Sequence, residues 1–232
     1  MGLREDLESE VSTIFRKQWT TRDSENVPEP EDLRLGNDAS KLDATVLYAD
    51  MSDSTKLVDN HGAEFAAEVY KAYLVCAARI IKDVGGTITA YDGDRIMAVF
   101  MGRSKNTSAA KAALKINHAV LHIINPALKK QYPHTEFALG HVVGIDTSSL
   151  FAARIGVRND NDIVWVGRAA NYAAKLSAID NPNTTYITED VFDILHESAK
   201  YGGSGREPMW ERRSWTDMNG MTIYRSKWWW PV

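Results

Sequence analysis

The chain has 232 residues, of which 44% are hydrophobic and 25% are charged. This composition is typical of a folded globular domain and excludes a disordered or fibrous chain. The formal net charge is −4 and both signs are scattered along the sequence, so we expect no nucleic-acid partner. The one cysteine, Cys76, excludes an intramolecular disulfide and a multi-cysteine metal site.

Two features of the sequence bear on its compartment. No stretch approaches the roughly 20 apolar residues that span a bilayer. The N-terminus, MGLRED, lacks the apolar core of a signal peptide. We therefore expect a cytoplasmic protein without a membrane partner.

The N-terminal region divides into a helix and a linker. Apolar residues from Leu3 to Phe15 recur at helical spacing, and the following segment TTRDSENVPEPEDLRLGND contains prolines, acids and a glycine. We predict a helix and linker over residues 1–40 and one larger domain over residues 41–232.

The larger domain begins with a strand, a helix and a hairpin. ATVLYA is a continuous apolar run too short for a helix, and it ends at Asp50. Apolar residues then keep helical spacing from Gly62 to Val84, where two glycines follow. TITAY and RIMAVF flank Asp92-Gly93-Asp94, which predicts a β-hairpin.

The second half of the chain continues the alternation of helices and strands. A helix is predicted over residues 106–131, with Pro126 expected to bend it or end it early. The remaining predicted elements are strands over 135–143 and 163–167, a helix over 168–179, strand TTYIT, a helix opened by Thr188, and strands over 209–215 and 221–228. This order predicts an α+β fold, a ferredoxin-like split βαβ sandwich with extra C-terminal strands.

Two carboxylates occupy positions that this fold brings together. Asp50 directly follows the first strand and Asp94 closes the hairpin, and these two elements are neighbours in a ferredoxin-like sheet. Two close carboxylates repel each other unless a cation neutralises them, and Mg²⁺ or Mn²⁺ with substrate phosphates is a suitable partner. The alternative is that Asp50 caps a helix and Asp94 is an ordinary turn residue.

Two further segments carry polar groups at helix starts. The backbone of Met51-Ser52-Asp53-Ser54-Thr55 enters a helix and is suited to hold a triphosphate, although an ordinary N-cap has the same pattern. Asn171 and Lys175 are four residues apart on one helix face, where they can orient a sugar and neutralise a phosphoryl group. The alternative for this pair is a solvated surface.

Taken together, VLYADMSDST, TAYDGDRIMAVF and IVWVGRAANYAAKL resemble the motifs of the class III nucleotidyl cyclase catalytic domain, over roughly residues 43–227. The resemblance implies that a ribose 3′-hydroxyl attacks the α-phosphorus of a nucleoside triphosphate. It assigns Asp50, Met51 and Asp94 to two divalent cations, Mn²⁺ or Mg²⁺. It also assigns Asn171 to the ribose, and Lys175 stands where the family has a transition-state arginine.

The resemblance also implies a partner. The family's site lies between two subunits, with the metal aspartates from one and the asparagine–arginine pair from the other. We therefore expect a homodimer with two identical sites, because a single subunit carries only half of each.

The positions that select the base depart from both purine types. Adenylate-type members carry a lysine and an aspartate where this chain has Ala90 and Val164, and neither residue can hydrogen-bond a purine edge. The substrate-binding candidates are Ser54 and Thr55 for the triphosphate, and Tyr48, Tyr91, Arg95 and Trp165 for a smaller base. The alternative is that the aromatic residues belong to the core.

These departures and the preamble VPEPEDLRLGNDASKLDATVLYADMSDST resemble the pyrimidine cyclases of bacterial antiphage systems. That resemblance implies that UTP is converted to cyclic UMP, which activates a separate effector protein. The alternatives are a cytidylate cyclase, an adenylate cyclase, and a catalytically silent nucleotide-binding domain that signals by dimerising.

Two further features of the sequence have ordinary interpretations. His118 and His122 have the i, i+4 spacing of some zinc ligands, but without a third ligand a surface pair is expected. Trp228-Trp229-Trp230 is interpreted as the end of a last strand whose indoles cover the sheet, and the alternative is a surface that packs on the dimer partner or on another protein.

Overall fold

The computed structural model describes residues 2–157 and 159–232. The first half contains α1 (Leu3–Arg16), β1 (Thr20–Asp23), β2 (Asp38–Ser52), α2 (Ser54–Asn60), α3 (Ala63–Asp83), β3 (Thr87–Asp92), β4 (Arg95–Phe100), α4 (Lys105–Ala119) and α5 (Asn125–Gln131). The second half contains β5 (Gly140–Val157), β6 (Asp160–Val166), α6 (Arg168–Ser177), β7 (Thr184–Thr188), α7 (Glu189–Ile194), α8 (Glu197–Lys200), β8 (Tyr201–Gly202), β9 (Glu207–Pro208), β10 (Glu211–Trp215) and β11 (Met221–Ser226).

The main sheet has the strand order β10-β11-β7-β5-β2-β4-β3, with β1 beside β2 and β6 beside β5. Within it, β5-β2-β4-β3 is an antiparallel unit whose strands are connected through α3 and α4. This is the predicted split βαβ arrangement, and β10 and β11 are the predicted extra strands. The predicted fold class is confirmed.

Side chains of β2 alternate between two cores, as strand geometry requires. Leu47, Ala49 and Met51 pack in the core that includes α3 and α4. Leu42, Ala44 and Val46 pack in the core that includes α6. The sheet is therefore covered on both faces near its centre.

Strand β5 begins later than its predicted span of residues 135–143, since residues 135–139 lie outside it, and it extends much further. It runs from Gly140 to Val157 and includes polar residues that resemble a loop in sequence. Asp146 and Thr147 are nevertheless buried, because they find partners inside the protein: Arg168 for Asp146, and Thr45 for the Thr147 hydroxyl. Tertiary contacts therefore outweigh the local pattern.

The long predicted helix over residues 106–131 is interrupted but does not end at Pro126. A π-helical turn over Val120–Ile124 separates α4 from α5, and Pro126 lies in the first turn of α5. Proline lacks an N–H group, so it is tolerated at a helix start where that group has no partner. The helix is therefore disturbed as predicted, but the disturbance is a π-helical turn just before the proline.

The N-terminal segment is attached to the sheet at two points. β1 pairs in parallel with the start of β2, from Thr20 opposite Asp38. The Asn37 side-chain amide donates hydrogen bonds to the carbonyl oxygens of Ile14, at 2.9 Å, and Lys17, at 2.6 Å. Among the described residues, the helices are all too short or too polar to cross a membrane.

Candidate active site

The structure places Asp50 and Asp94 beside each other at one end of the sheet. Asp50 lies near the end of β2 and Asp94 in the turn before β4, and β2 pairs with β4 up to Ala49 opposite Ile96. Both side chains are partly buried. Burial, and then the Asp94 carboxylate, raises the pKa of Asp50 to about 6. The Asp94 carboxylate therefore disfavours ionisation of Asp50, and a cation bound between the two would have the opposite effect.

Other polar groups near this pair are also without partners. Asp94 Oδ2 is buried without a hydrogen-bond donor among the described residues. The Tyr73 hydroxyl is fully buried and, within the same residues, also lacks a partner. Burial raises the pKa of Tyr73 well above its usual value, and the charges of Asp50 and Asp94 add to the rise. Buried polar atoms without partners are rare in proteins, so this end of the sheet is adapted to something besides stability.

The donor set fits a divalent cation bound in an open site. Within residues 2–157 and 159–232, no group of three or more His, Cys, Asp or Glu residues forms a closed metal cage. The Met51 side chain is buried in the core, so its backbone carbonyl is the oxygen it can offer. Two carboxylates and a carbonyl leave coordination positions for water and phosphate oxygens, which is how proteins usually hold Mg²⁺.

Tyr48 and Arg95 form a stacked pair beside the carboxylates. The Arg95 guanidinium lies 5.2 Å from the centre of the Tyr48 ring and pairs with Asp92 at 2.7 Å. Arg95 Nε is buried without an acceptor among the described residues. Burial raises the pKa of Tyr48, so its hydroxyl stays protonated. Tyr91, by contrast, is 57% exposed.

Ser54 and Thr55 open α2, as the sequence predicts. Asp53 precedes them in the left-handed region at φ 58°, and its carboxylate pairs with Lys56 at 2.6 Å. α2 has only seven residues. Its dipole is therefore small, and backbone N–H groups are the main contribution that this loop can make toward an anion.

Asn171 and Lys175 lie on the exposed face of α6, whose other face packs alanines against the sheet. Lys175 Nζ lies 3.7 Å from the sulfur of Met218. In the part of the chain that is described, no hydrogen bond or ion pair joins Asn171 or Lys175 to Asp50 or Asp94. One subunit therefore presents the two halves of the expected site separately.

The remaining base-binding candidate, Trp165, lies far from Tyr48 in the sheet. Trp165 on β6 is opposite Ala152, which is opposite Ser40 of β2. Tyr48 lies eight residues beyond Ser40, or about 26 Å along the strand. Trp165 is half-buried against the α6-side core. A pocket that uses both aromatic side chains therefore requires two subunits.

Sequence reasoning missed a buried ion pair that positions α6. Asp146 is 0% exposed and accepts hydrogen bonds from Arg168 Nε at 3.0 Å and Nη2 at 3.2 Å. Arg168 also pairs with Asp190, and Thr188 donates a hydrogen bond to Asp146. Since Arg168 begins α6, these contacts hold the start of the helix that carries Asn171. The signal in the sequence was weak, because Asp146 lies just beyond the predicted strand, among polar residues that resemble a loop.

The C-terminal tryptophans cover a helix instead of extending a strand. β11 ends at Ser226, and the tail then follows α4, where Asn117 Nδ2 donates to the carbonyl oxygens of Lys227 and Trp228. The rings of His118 and His122 both contact the Trp229 indole, with centroids 5.2 Å and 4.5 Å away. The interpretation of this segment as the end of a last strand is therefore wrong.

The described fold is that of nucleotide cyclase catalytic domains. The adenylyl cyclase CyaB from P. aeruginosa superposes with a TM-score of 0.65 at 18% identity, covering 81% of this chain and 95% of that one. The guanylyl cyclase Cya2 superposes with a TM-score of 0.69 at 16% identity, covering 82% of this chain and 94% of that one. At these identities the likeness concerns the fold.

Sequence comparison makes the assignment specific. The model of the adenylate and guanylate cyclase catalytic domain matches residues 38–220, and the chain belongs to this family. The predicted family and the predicted enzyme class, a nucleotide cyclase, are therefore confirmed. Enzymes of this family depend on divalent cations and act as dimers on nucleoside triphosphates.

Three similar proteins bear the same name. Proteins named uridylate cyclase from Xanthomonas perforans and Burkholderia cepacia are 51% and 52% identical to this chain, each over 100% of both sequences. A uridylate cyclase from a Rhodovulum species is 37% identical over 99% of this chain and 98% of its own length.

Proposed function

We propose that this chain converts UTP to 3′,5′-cyclic UMP and pyrophosphate. The observation that carries the proposal is full-length identity of 51% and 52% with two proteins named uridylate cyclase. Ala90 and Val164, at the positions where adenylate-type members read the purine, are consistent with a different base. We place the catalytic domain at residues 41–232, with residues 1–40 as an N-terminal helix and linker.

Asp50, Asp94 and the Met51 carbonyl are proposed to hold two divalent cations, Mn²⁺ or Mg²⁺. The unpartnered Asp94 oxygen and the raised pKa of Asp50 support this role, because a cation would satisfy the first and reverse the second. Bound cations would activate the ribose 3′-hydroxyl and stabilise charge at the α-phosphate and the leaving group. The two carboxylates would position the cations next to the reacting phosphate of the substrate.

The other half of the site is proposed to come from a second copy of the chain. Asn171 of the partner subunit would orient the ribose, and Lys175 of the partner subunit would neutralise developing charge on the phosphoryl group. The exposed position of both side chains on α6 supports this role, since each is free to meet another subunit. Lysine offers a point charge where the family has the planar fork of arginine.

Substrate contacts are proposed on both sides of the cations. The backbone and hydroxyl groups at Ser54 and Thr55 would bind the triphosphate. Tyr48, Tyr91, Arg95 and Trp165 are the proposed contacts of the uracil, with Trp165 supplied by the second subunit. The unpartnered Arg95 Nε supports a donor role toward a uracil carbonyl, where cytosine instead presents an amino group.

We further propose that the product is a messenger in bacterial antiphage defence, made in the cytoplasm and sensed by a separate effector protein. This part of the proposal rests on the resemblance of the chain to pyrimidine cyclases of antiphage systems. Infection of cells that carry the chain should raise cyclic UMP, and an Asp50→Asn strain should lose both the rise and the protection.

The test of the reaction is a competition among substrates. The purified protein is incubated with Mn²⁺ and equimolar ATP, GTP, CTP and UTP, and the cyclic products are identified by mass. Predominant cyclic UMP is expected. Cyclic CMP would keep the mechanism and overturn the base assignment, and cyclic AMP would refute the argument from Ala90 and Val164. A folded dimer that makes no product would favour a silent binding domain.

A further inference from the structure

Helix α1 presents an apolar face that its own subunit does not cover. Within the described helix, Leu3–Arg16, no residue is buried. We call its exposed apolar side chains the arm surface: Leu3 at 76% exposure, Leu7 at 51%, Val11 at 49%, Ile14 at 50% and Phe15 at 84%. Isolated helices of this length are marginal in water, so α1 needs a packing partner to be stable.

The charges of α1 disfavour a lipid surface as that partner. The helix carries four acids and two arginines: Glu5, Asp6, Glu8, Glu10, Arg4 and Arg16. Helices that bind anionic membranes carry mainly lysine and arginine on the polar face. The acidic face of α1 would be repelled by such a membrane, which leaves a protein surface as the better partner.

An apolar groove of suitable character lies on the β5–β6 hairpin. Its volume is about 720 Å³, and we call it the hairpin groove. Its apolar lining includes Trp19, Leu35, Phe151, Ile155, Val157 and Val166. Ile155, Val157 and Val166 are each more than half exposed. Exposed apolar patches of this kind mark interaction sites in soluble proteins.

The helix reaches its own groove only with its last turns. Glu10 and Ile14 line the hairpin groove, whereas Leu3, Leu7 and Val11 are outside it. The hydrogen bonds from Asn37 to the carbonyl oxygens of Ile14 and Lys17 hold the end of α1 against the body of the protein. The first turns of the helix therefore extend away from the subunit that carries them.

The hairpin groove is continuous with the surface that the shared active site requires. Val164 lies where adenylate-type members carry a base-reading residue, and its side chain lines the groove. β6 then leads through Gly167 into α6, which presents Asn171 and Lys175. A second copy that brings its carboxylates to α6 therefore also approaches this groove, and a second copy is the occupant that the geometry favours.

We propose that α1 is an exchanged dimerisation arm: the arm surface of each subunit, apart from Ile14, which lines the groove of its own subunit, packs on the hairpin groove of the other. Twofold symmetry makes the exchange reciprocal, so both arms are buried by one arrangement. The proposal rests on the proposed function, because it is the divided active site that requires two copies. It assigns a role to α1 that the catalytic chemistry itself does not need.

The first test changes the arm surface and measures dimerisation. Leu7→Glu places a charge on the apolar face, and Ser9→Glu places the same charge on the opposite face of the same helix. Sedimentation equilibrium should show the dimer Kd raised at least tenfold by Leu7→Glu and unchanged by Ser9→Glu. Leu7→Glu should lose cyclic UMP synthesis at low protein concentration and recover it at high concentration. An unchanged dimer Kd for Leu7→Glu overturns the proposal.

The second test asks which subunit's groove the arm occupies. A Leu7→Cys, Val166→Cys double variant is oxidised and run without reductant, beside the wild type with only Cys76. A covalent dimer from the double variant, absent from the wild type and from each single variant, is the expected result. A cross-link within one subunit overturns the exchange.

A third measurement separates the arm from two competing explanations. Val166→Glu should weaken the dimer, so a raised KM for UTP with an unchanged dimer Kd would identify the groove as a nucleotide site and overturn the proposal. Binding of the wild type to phosphatidylglycerol vesicles that is lost in Leu7→Glu, with an unchanged dimer Kd, would identify α1 as a membrane-binding helix and overturn the proposal.

Failure of the proposed function can be distinguished from failure of the arm proposal. An arm-dependent dimer that makes no cyclic product from UTP would refute the proposed function and leave the arm proposal standing.

Discussion

Two buried or half-buried carboxylate sites in this protein differ in how their negative charge is paired. Asp146 is fully buried and is satisfied by Arg168 and by the Thr188 hydroxyl. Asp50 and Asp94 stand beside each other, and Asp94 keeps a buried oxygen that has no donor among the described residues. Burial raises the pKa of Asp146, and the contacts with Thr188 and Arg168 offset part of that rise, whereas the Asp94 carboxylate adds to the effect of burial at Asp50.

The difference separates a structural carboxylate from carboxylates adapted to a ligand. Asp146 holds the start of α6 through Arg168, so its charge is balanced within the chain. At Asp50 and Asp94, the proposed cation would balance the charge. Removing a charge should therefore weaken the fold at the first site and weaken only the activity at the second.

The largest effect is expected at the carboxylate pair. Asp50→Asn and Asp94→Asn should each lower kcat/KM by about three orders of magnitude, because a lost cation removes several kcal/mol of charge stabilisation. Product formation is measured by mass spectrometry with saturating Mn²⁺. Thermal unfolding without metal should show both variants at least as stable as the wild type. Full activity in either folded variant would refute the metal assignment.

The next effect concerns the charge on α6. Lys175→Ala should lower kcat by about a hundredfold with a much smaller change in KM, because the charge is proposed to act on the transition state. Lys175→Arg, which restores the residue type of the family, is the control and should keep most of the rate. A change confined to KM would assign Lys175 to ground-state binding.

At the structural carboxylate, the expected effect is on stability. Arg168→Ala leaves the Asp146 charge buried without its cation, and we expect a loss of about 3 kcal/mol, the low end for a broken buried pair because Arg168 is part exposed. Urea unfolding measures the loss. The matched variant Asp190→Asn removes only the 55% exposed partner of Arg168 and should cost less than about 1 kcal/mol. Equal losses from the two variants would contradict the comparison.

A smaller effect is expected on the pH dependence of the metal-free protein. Burial and the Asp94 carboxylate raise the pKa of Asp50 from 3.8 to about 6. The folded state therefore binds this proton more tightly than the unfolded chain does, and Asp50 makes stability fall as pH rises through that range. Burial lowers the pKa of His141 from 6.5 to about 4, which makes stability rise over nearly the same range.

These two slopes have opposite signs in the wild type, so the difference between wild type and variant is the informative quantity. Between pH 4 and pH 7, Asp50→Asn should gain about 2 kcal/mol of stability relative to the wild type. Urea unfolding in EDTA at several pH values measures this gain. Parallel profiles for the two proteins would show that Asp50 titrates normally.

Most of the fold could be predicted because its elements have strong local patterns. The apolar run before Asp50, the helix that ends just before Gly85 and the hairpin around Gly93 each depend on neighbours in sequence. Residues 144–157 of β5 could not be predicted as a strand, because their polar side chains form hydrogen bonds and ion pairs with partners far away in the sequence. The path of the C-terminal tail could not be predicted for the same reason, since Asn117 holds it along α4.

At the candidate site, too, some features could be predicted from the sequence and others could not. Motif spacing made Asp50, Asp94, Asn171 and Lys175 candidates, and the resemblance to the cyclase motifs supplied their expected roles. Burial and pairing were not visible in those motifs. The stack of Arg95 on Tyr48 and the separation of Trp165 from Tyr48 depend on strand register, which brings together residues far apart in the chain.

The sequence by itself determined the order of helices and strands, the family of the protein and the residue types at its site. Only the tertiary structure decided which carboxylates are satisfied, which side chains share a subunit and which apolar face stays uncovered. The physical reason is that helix, strand and turn patterns depend on neighbours in the chain. Burial, charge pairing and strand register depend on residues that meet only when the chain has folded.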